Sequence, residues 1–250
     1  MIKRTFRIND RLSYSSLEQV GDEMCLYPDL FIDQFNDSSF TNWLYEMDIE
    51  KGKRAVSIFL DNKDKEIALF EISFLLNPGH KLALGGIRLN GSNELGLTIL
   101  NNAPRPIVEL QSLLSKGLLL RFLEIKGLDK NRPTFYSSIK RITDEYNSHP
   151  IESWFDLGYL LSKKKSFFFE GKEYKTLKEF FTINGGDERI MTSYDFLTMP
   201  YINSYAKVSN FSDGLMRLKS LIDDDHKKYF SITKDNEMID TNKLVINRIR

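Results

Sequence analysis

Apolar residues recur along the chain at helical spacing, and short apolar segments broken by turn residues interrupt the helical pattern. The densest apolar run, 67–76, is predicted to be a helix ending at Asn77-Pro78-Gly79, because proline disfavours helical backbone at the residue before it. Three strand-turn-strand segments carry Asn9-Asp10, Gly85-Gly86 and Gly171 at their centres. Because Gly, Asn and Asp tolerate a positive φ best, these segments are predicted to be β-hairpins.

The predicted elements recur in one order, which indicates an internal repeat. Residues 38–48 align with 116–126, and residues 68–77 align with 153–162. One repeat consists of a hairpin, a capped helix, a Trp-Leu or Phe-Leu helix, a polar helix and a buried apolar helix. The alternative explanation is chance similarity among helices rich in Leu and Phe.

Each predicted hairpin leads into a helix start. The segment 167–180 is the clearest case, 6–18 resembles it, and 82–95 is a weaker third copy. Thr176 and Glu179 are predicted to form a capping box, in which the hydroxyl and the carboxylate each accept a bond from backbone N–H groups. The pair Ser15 and Glu18 is predicted to repeat it.

These patterns predict a mainly α fold with small β-hairpins, organised as a short array of about two and a half repeats. The first repeat is predicted over 1–80 and the second over 81–165. A partial third repeat is predicted over 166–230, including an amphipathic helix over 211–222. The polar stretch 231–250 is predicted to be a tail or an edge strand.

The order of Trp43-Leu44, the run 68–78 and the later segment 157–180 resembles a repeated helical module of bacterial proteins. Such modules are appended to kinase-like and other multidomain signalling proteins, and the resemblance covers about residues 5–185. It implies an accessory or interaction role. The sequence has no Gly-rich phosphate loop, no His-Arg-Asp and no Asp-Phe-Gly, so the resemblance carries over no catalytic residue.

Composition narrows the classes of protein that fit the sequence. Lys plus Arg and Asp plus Glu are both 35, so the net charge is zero, which excludes a uniformly basic nucleic-acid coat and a charge-extended disordered chain. Cys25 is the only cysteine and cannot form an internal disulfide, which suits a reducing compartment. With no apolar run long enough to span a bilayer, a cytoplasmic protein without a membrane partner is predicted.

The residues able to hold a metal lack the spacing of a metal site. His80, His149 and His226 lie far apart in the chain, and His80 and His149 flank prolines, where the rings are predicted to face water. The acidic run 223–225 next to His226 is a candidate cation site, but consecutive helical side chains diverge, which favours a solvated face. No metal and no cofactor are predicted.

Catalytic motifs are also missing. Glu124 and Lys126 match an acid-x-Lys element of nucleases, yet the element falls at the predicted end of a packed helix, where a structural role is favoured. No catalytic residue is predicted. A metal-dependent nuclease or phosphatase therefore remains only as a second alternative function, and the sequence leans against an enzyme.

Two basic clusters are the candidate contacts for a phosphate or a partner. Lys163, Lys164 and Lys165 precede a Phe-rich strand, and Arg4 and Arg7 belong to the first predicted hairpin. If the hairpins stack on one side, the clusters form a basic ridge that suits nucleic acid. The leading prediction is nevertheless a non-enzymatic protein-interaction module, a scaffold, adaptor or inhibitor with a protein partner, and nucleic-acid binding is the alternative.

Overall fold

A computed structural model describes residues 5–84, 86–89, 91–184 and 200–209. It confirms a mainly α fold with small antiparallel β-hairpins. The predicted amphipathic helix 211–222 and the predicted tail 231–250 lie outside the described residues.

Three segments follow one another along the chain, each beginning with a hairpin. The first contains β1 Phe6–Arg7, β2 Ser13–Tyr14, α1 Leu17–Met24, α2 Pro28–Phe35, α3 Ser38–Met47, α4 Ile49–Asp61 and α5 Lys65–Leu76. The second contains β3 Ala83–Leu84, β4 Ile87–Arg88, α6 Ser92–Asn101, a 3₁₀ turn Val108–Leu110, α7 Ser112–Ser115, α8 Leu118–Ile125, α9 Leu128–Asn131, α10 Pro133–Glu145 and α11 Pro150–Ser162. The third contains β5 Phe167–Phe169, β6 Lys172–Tyr174, α12 Leu177–Asn184 and α13 Pro200–Ser209.

The chain also divides into two compact units. One consists of Met1–Gly91 and Val108–Lys140, and the other consists of Ser92–Ile107 and Arg141–Arg250. The predicted repeat boundaries stay a prediction, but several contacts within one unit have a counterpart within the other.

In each unit, the helix that follows a hairpin in the chain crosses a buried apolar helix at a glycine. In the first unit, a Cβ added to Gly21 of α1 would lie 2.7 Å from the carbonyl oxygen of Ser73 in α5. In the second unit, a Cβ added to Gly96 of α6 would lie 2.8 Å from the carbonyl oxygen of Gly158 in α11. Ser73 and Gly158 are aligned positions of the predicted repeat, so the same backbone approach occurs at matching places.

A helix of the following segment packs on each buried apolar helix. In the first unit, Phe122 of α8 contacts Phe74 of α5 at 5.7 Å between ring centroids, and Arg121 pairs with Glu71. The second unit has the same kinds of contact between α13 and α11. Tyr205 contacts Tyr159 at 6.3 Å, and Lys207 pairs with Asp156 at 2.9 Å. An aromatic contact and an ion pair therefore hold this packing twice.

The hairpins place their first aromatic residue against aromatic residues of a later helix. Phe6 lies 5.0 Å from Phe40 and 5.7 Å from Trp43, both of α3. Phe167 lies 6.0 Å from Tyr201 and 5.2 Å from Tyr205, both of α13. Burial of these large rings supplies much of the apolar contact that fixes the short strands, which are too small to be stable alone.

The cap residue of α12 is the predicted one, whereas the cap of α1 lies one residue after the predicted position. Thr176 Oγ1 accepts from Glu179 N at 3.1 Å, as predicted, and the Glu179 carboxylate accepts from the backbone N–H of Lys175, one residue before the N–H that a capping box uses. At α1 the predicted pair Ser15 and Glu18 is wrong. Ser16 is the cap and accepts from Gln19 N, while the Gln19 side chain accepts from Ser15 N at 2.8 Å.

Candidate interaction surface

The predicted lysine cluster follows α11 in the second unit. Lys163 caps the helix in a left-handed conformation with φ 56°, and its side chain is exposed, as is that of Lys165. Lys164 instead pairs with Glu173 of β6 at 2.9 Å, and Ser166 Oγ donates to the same carboxylate. The bonds from Ser166 and then Lys164 lower the pKa of Glu173. One of the three lysine charges is therefore neutralised.

The arginines of the predicted ridge belong to the first hairpin. Arg7 lies on β1 in the first unit with its side chain exposed. Arg4 lies outside the described residues. The lysine cluster and Arg7 are thus placed in different compact units, and each contributes a basic surface to its own unit.

His80 does not face water as its place beside a proline predicts. Only 3% of its surface is exposed, and its Nδ1 lies 3.0 Å from Asp22 Oδ1 on α1. Phe74 packs against the ring edge-on at 4.9 Å. His149, at the start of α11, is exposed. His226 and the acidic run 223–225 lie outside the described residues.

A polar cluster surrounds the buried imidazole. Asp22 also accepts from Asn77 Nδ2 at 2.9 Å. Lys126 Nζ donates to the carbonyl of Pro78 at 2.7 Å and lies 5.1 Å from the centre of the Phe74 ring. Desolvation lowers the pKa of His80 more than its contact with Asp22 raises it, so the ring is neutral at pH 7.

The thiol and the acid-x-Lys element are both engaged in structural contacts. Cys25 is buried, its Sγ lies 3.4 Å from Ser73 Oγ, and burial raises the pKa of the thiol to about 12, which leaves it unreactive. Glu124 accepts a bond from Tyr136, and Lys126 is bound to the backbone of Pro78. Within the described ranges, no group of three or more His, Cys, Asp or Glu side chains could hold a metal ion.

An apolar stripe on α4 is a surface feature that the sequence prediction missed. Ile49 is 56% exposed and Leu60 is 70% exposed, and the two lie three helical turns apart on one face. Lys53 and the partly buried Val56 lie between them at helical spacing. We call Ile49, Lys53, Val56 and Leu60 the α4 stripe. Each of these residues is separated from the next by three or four positions, a spacing that sequence inspection of the predicted polar helix could have detected.

The corresponding helix of the second segment has no such stripe. α4 and α10 both have 13 residues, and buried Ala55 of α4 corresponds to buried Ile139 of α10. With this alignment, polar or proline side chains, all exposed, occupy the stripe positions of α10: Pro133, Ser137, Lys140 and Asp144. In α10, therefore, none of these four positions carries an exposed Ile, Leu or Val side chain.

Comparison of the chain with protein-family models, with curated proteins and with solved structures finds no match. Among the described helices, none has the length and apolar character needed to cross a membrane.

Proposed function

We propose that this chain is a non-enzymatic protein-interaction module, a scaffold, adaptor or inhibitor that acts in the cytoplasm of a bacterium, and that the α4 stripe contacts its protein partner. The observation that carries the proposal is the contrast between exposed Leu60 on α4 and exposed Asp144 at the corresponding position of α10. An exposed apolar residue costs solubility, and here the fold does not need it.

The chemistry of the stripe indicates the kind of partner. Ile49 and Leu60 offer apolar contact, while Lys53 and the neighbouring Arg54 add two exposed cations. A partner segment with an apolar face bordered by carboxylates would bury Ile49 and Leu60 and form ion pairs with Lys53 and Arg54. The resemblance to modules of multidomain signalling proteins points to the same accessory role.

The test is affinity capture from the native host with the full chain as bait. We expect a protein that is retained by the wild type and lost with the double variant Ile49→Asp, Leu60→Asp. Val108→Asp is the matched control, because Val108 is 73% exposed and lies outside α4. The captured protein is then purified and titrated against the same three baits, and an affinity that is equal for all three contradicts the proposal.

Nucleic-acid binding is the second candidate, and the exposure of Lys163 and Lys165 favours it. It predicts binding that weakens steeply as salt is raised, because phosphate contacts release counterions. The variant Lys163→Glu, Lys165→Glu would abolish such binding, whereas Lys164→Glu would act largely through its pair with Glu173. Treating the lysate with nuclease before capture separates the two functions, since a protein partner is retained and a nucleic-acid-bridged one is lost.

A further inference from the structure

His80 fastens the connection between α5 and the second hairpin to α1. It follows the turn Asn77-Pro78-Gly79, and its backbone N–H donates to the carbonyl of Asn77 at 2.9 Å. The side chain of Asn77 accepts from Gly79 N and donates to Asp22. With the bond between His80 and Asp22, two side chains of this connection hold the same carboxylate on α1.

The imidazole makes one side-chain hydrogen bond, and this bond needs only the neutral ring. With the proton on Nδ1, the ring donates to Asp22. Nε2 is buried, and no described residue provides it with a hydrogen-bond partner. Protonation would place an N–H and a positive charge at this buried atom, and an unpaired buried donor destabilises the folded state, more so when it is charged.

The charged side chains around the ring, two carboxylates and two cations, already sum to zero when His80 is neutral. α1 contributes Asp22, whose carboxylate faces the ring, and Glu23, which pairs with Arg88 of β4 at 2.6 Å. Lys126, after α8, is the second cation that opposes a charge on His80. α5 presents the uncharged ring of Phe74. An imidazolium would therefore add an excess positive charge to this cluster, in which only the His80 ring is fully buried.

We propose that His80 is a pH-sensitive latch: its neutral ring holds the connection 77–82 on α1, and its protonation releases that connection. The lowered pKa of the buried ring agrees with this direction. Because the folded state binds the proton less readily than the unfolded state, the stability that the latch provides is present above about pH 6.5 and is lost as the pH falls below that value.

The second unit contains a natural comparison for the latch. Its turn after α11 is capped in the same way, since Ser162 Oγ accepts from Lys164 N as Asn77 Oδ1 accepts from Gly79 N. By the same alignment, exposed Lys165 corresponds to His80. The connection after α11 therefore carries the turn without the latch.

Hydrogen–deuterium exchange at pH 7.5 and pH 5.5 tests the proposal, with protection factors normalised for the intrinsic exchange rate at each pH. In the wild type, amides in 77–84 are expected to lose up to about tenfold in protection at pH 5.5, the limit set by a histidine that titrates near 6.5 when unfolded. Amides in 162–169 should change far less. His149→Gln should behave as the wild type, and His80→Gln should show no difference between the two pH values.

Two results would overturn the latch. One is an equal loss of protection in 77–84 for the wild type and for His80→Gln. The other comes from an NMR titration of the wild-type imidazole signals, which does not depend on any variant folding: a His80 midpoint at or above about pH 6.5 contradicts the proposal, and a lower midpoint supports it.

Discussion

Gly96 and Gly158 face each other where α6 crosses α11, and a Cβ on Gly96 would lie 2.8 Å from the Gly158 carbonyl oxygen and 2.4 Å from the backbone nitrogen of Ser162. Both atoms belong to the main chain of α11, so neither can move aside without the helix. Two helices approach this closely only where the side chain is a hydrogen atom.

Replacing this glycine tests the crossing. Alanine favours a helix by about 1 kcal/mol over glycine, but overpacking costs about 1–3 kcal/mol. We expect Gly96→Ala to lower the free energy of unfolding by up to about 2 kcal/mol, measured by urea denaturation. Gly91→Ala is the control, because no atom lies within 4 Å of its added Cβ. Equal midpoints for the two variants would show that the helices do not approach as described.

Two serine variants test which residue caps α1. Ser16→Ala removes the hydroxyl that accepts from Gln19 N, which should cost about 1 kcal/mol of unfolding free energy. Ser15→Ala leaves that cap in place and should stay within about 0.5 kcal/mol of the wild type. A larger loss for Ser15→Ala than for Ser16→Ala would restore the cap predicted from the sequence.

Lys207 is expected to stabilise the packing of α13 on α11. Its Nζ lies 2.5 Å from Glu152 and 2.9 Å from Asp156, whose side chain is only 10% exposed. Lys207→Met leaves both carboxylates without this cation and should lower the unfolding free energy by about 1–2 kcal/mol. Arg141→Met breaks an exposed pair with Glu145 and should cost less than about 0.5 kcal/mol. Thermal unfolding measures the loss of stability in both variants, and the loss should be larger for Lys207→Met than for Arg141→Met.

Lys116 should affect stability in acid. It pairs with Asp64 at 2.9 Å and with Glu66 at 2.6 Å. Burial alone would raise the pKa of Asp64, but bonds from Lys116 and the backbone N–H of Ile67 outweigh it and lower the pKa below 3.8. The resulting stability is present above that pH and is lost as the pH falls through the lower folded-state pKa.

The variant Lys116→Met therefore changes the acid limb of the stability curve. Between pH 5 and pH 3 the wild type should lose more unfolding free energy than the variant, by less than about 1 kcal/mol because these side chains are partly solvated. Chemical denaturation at intervals of pH measures the two slopes. Parallel curves would mean that the pair contributes nothing to the titration of Asp64.

The sequence predicted the parts of the fold that depend on local pattern. The end of α5 at Asn77 and the three hairpins follow from proline and turn chemistry within a few residues. The alignment of Phe70 with Phe155 also corresponds to two buried rings on equivalent helices. These features need no knowledge of distant contacts, which is why one sequence is enough to predict them.

The parts that the sequence did not predict depend on residues far apart in the chain. Asp22, on another helix, accepts a hydrogen bond from the buried ring of His80, and no local pattern links the two. The pair between Lys164 and Glu173 was also not predicted, although the hairpin that brings the two side chains together was. The apolar positions of the α4 stripe were visible in the sequence, but their exposure was not.

The connection that leads into α4 in the first segment is shorter than the one that leads into α10 in the second. Asp48 alone separates α3 from α4 and caps the latter, whereas residues 126–132 separate α8 from α10 and form the short helix α9, which buries no side chain. The second segment is thus longer at this place, although the glycine crossing occurs in both units. The short helix α9 is where a fluorescent protein or a tethered domain could be inserted without removing a buried side chain.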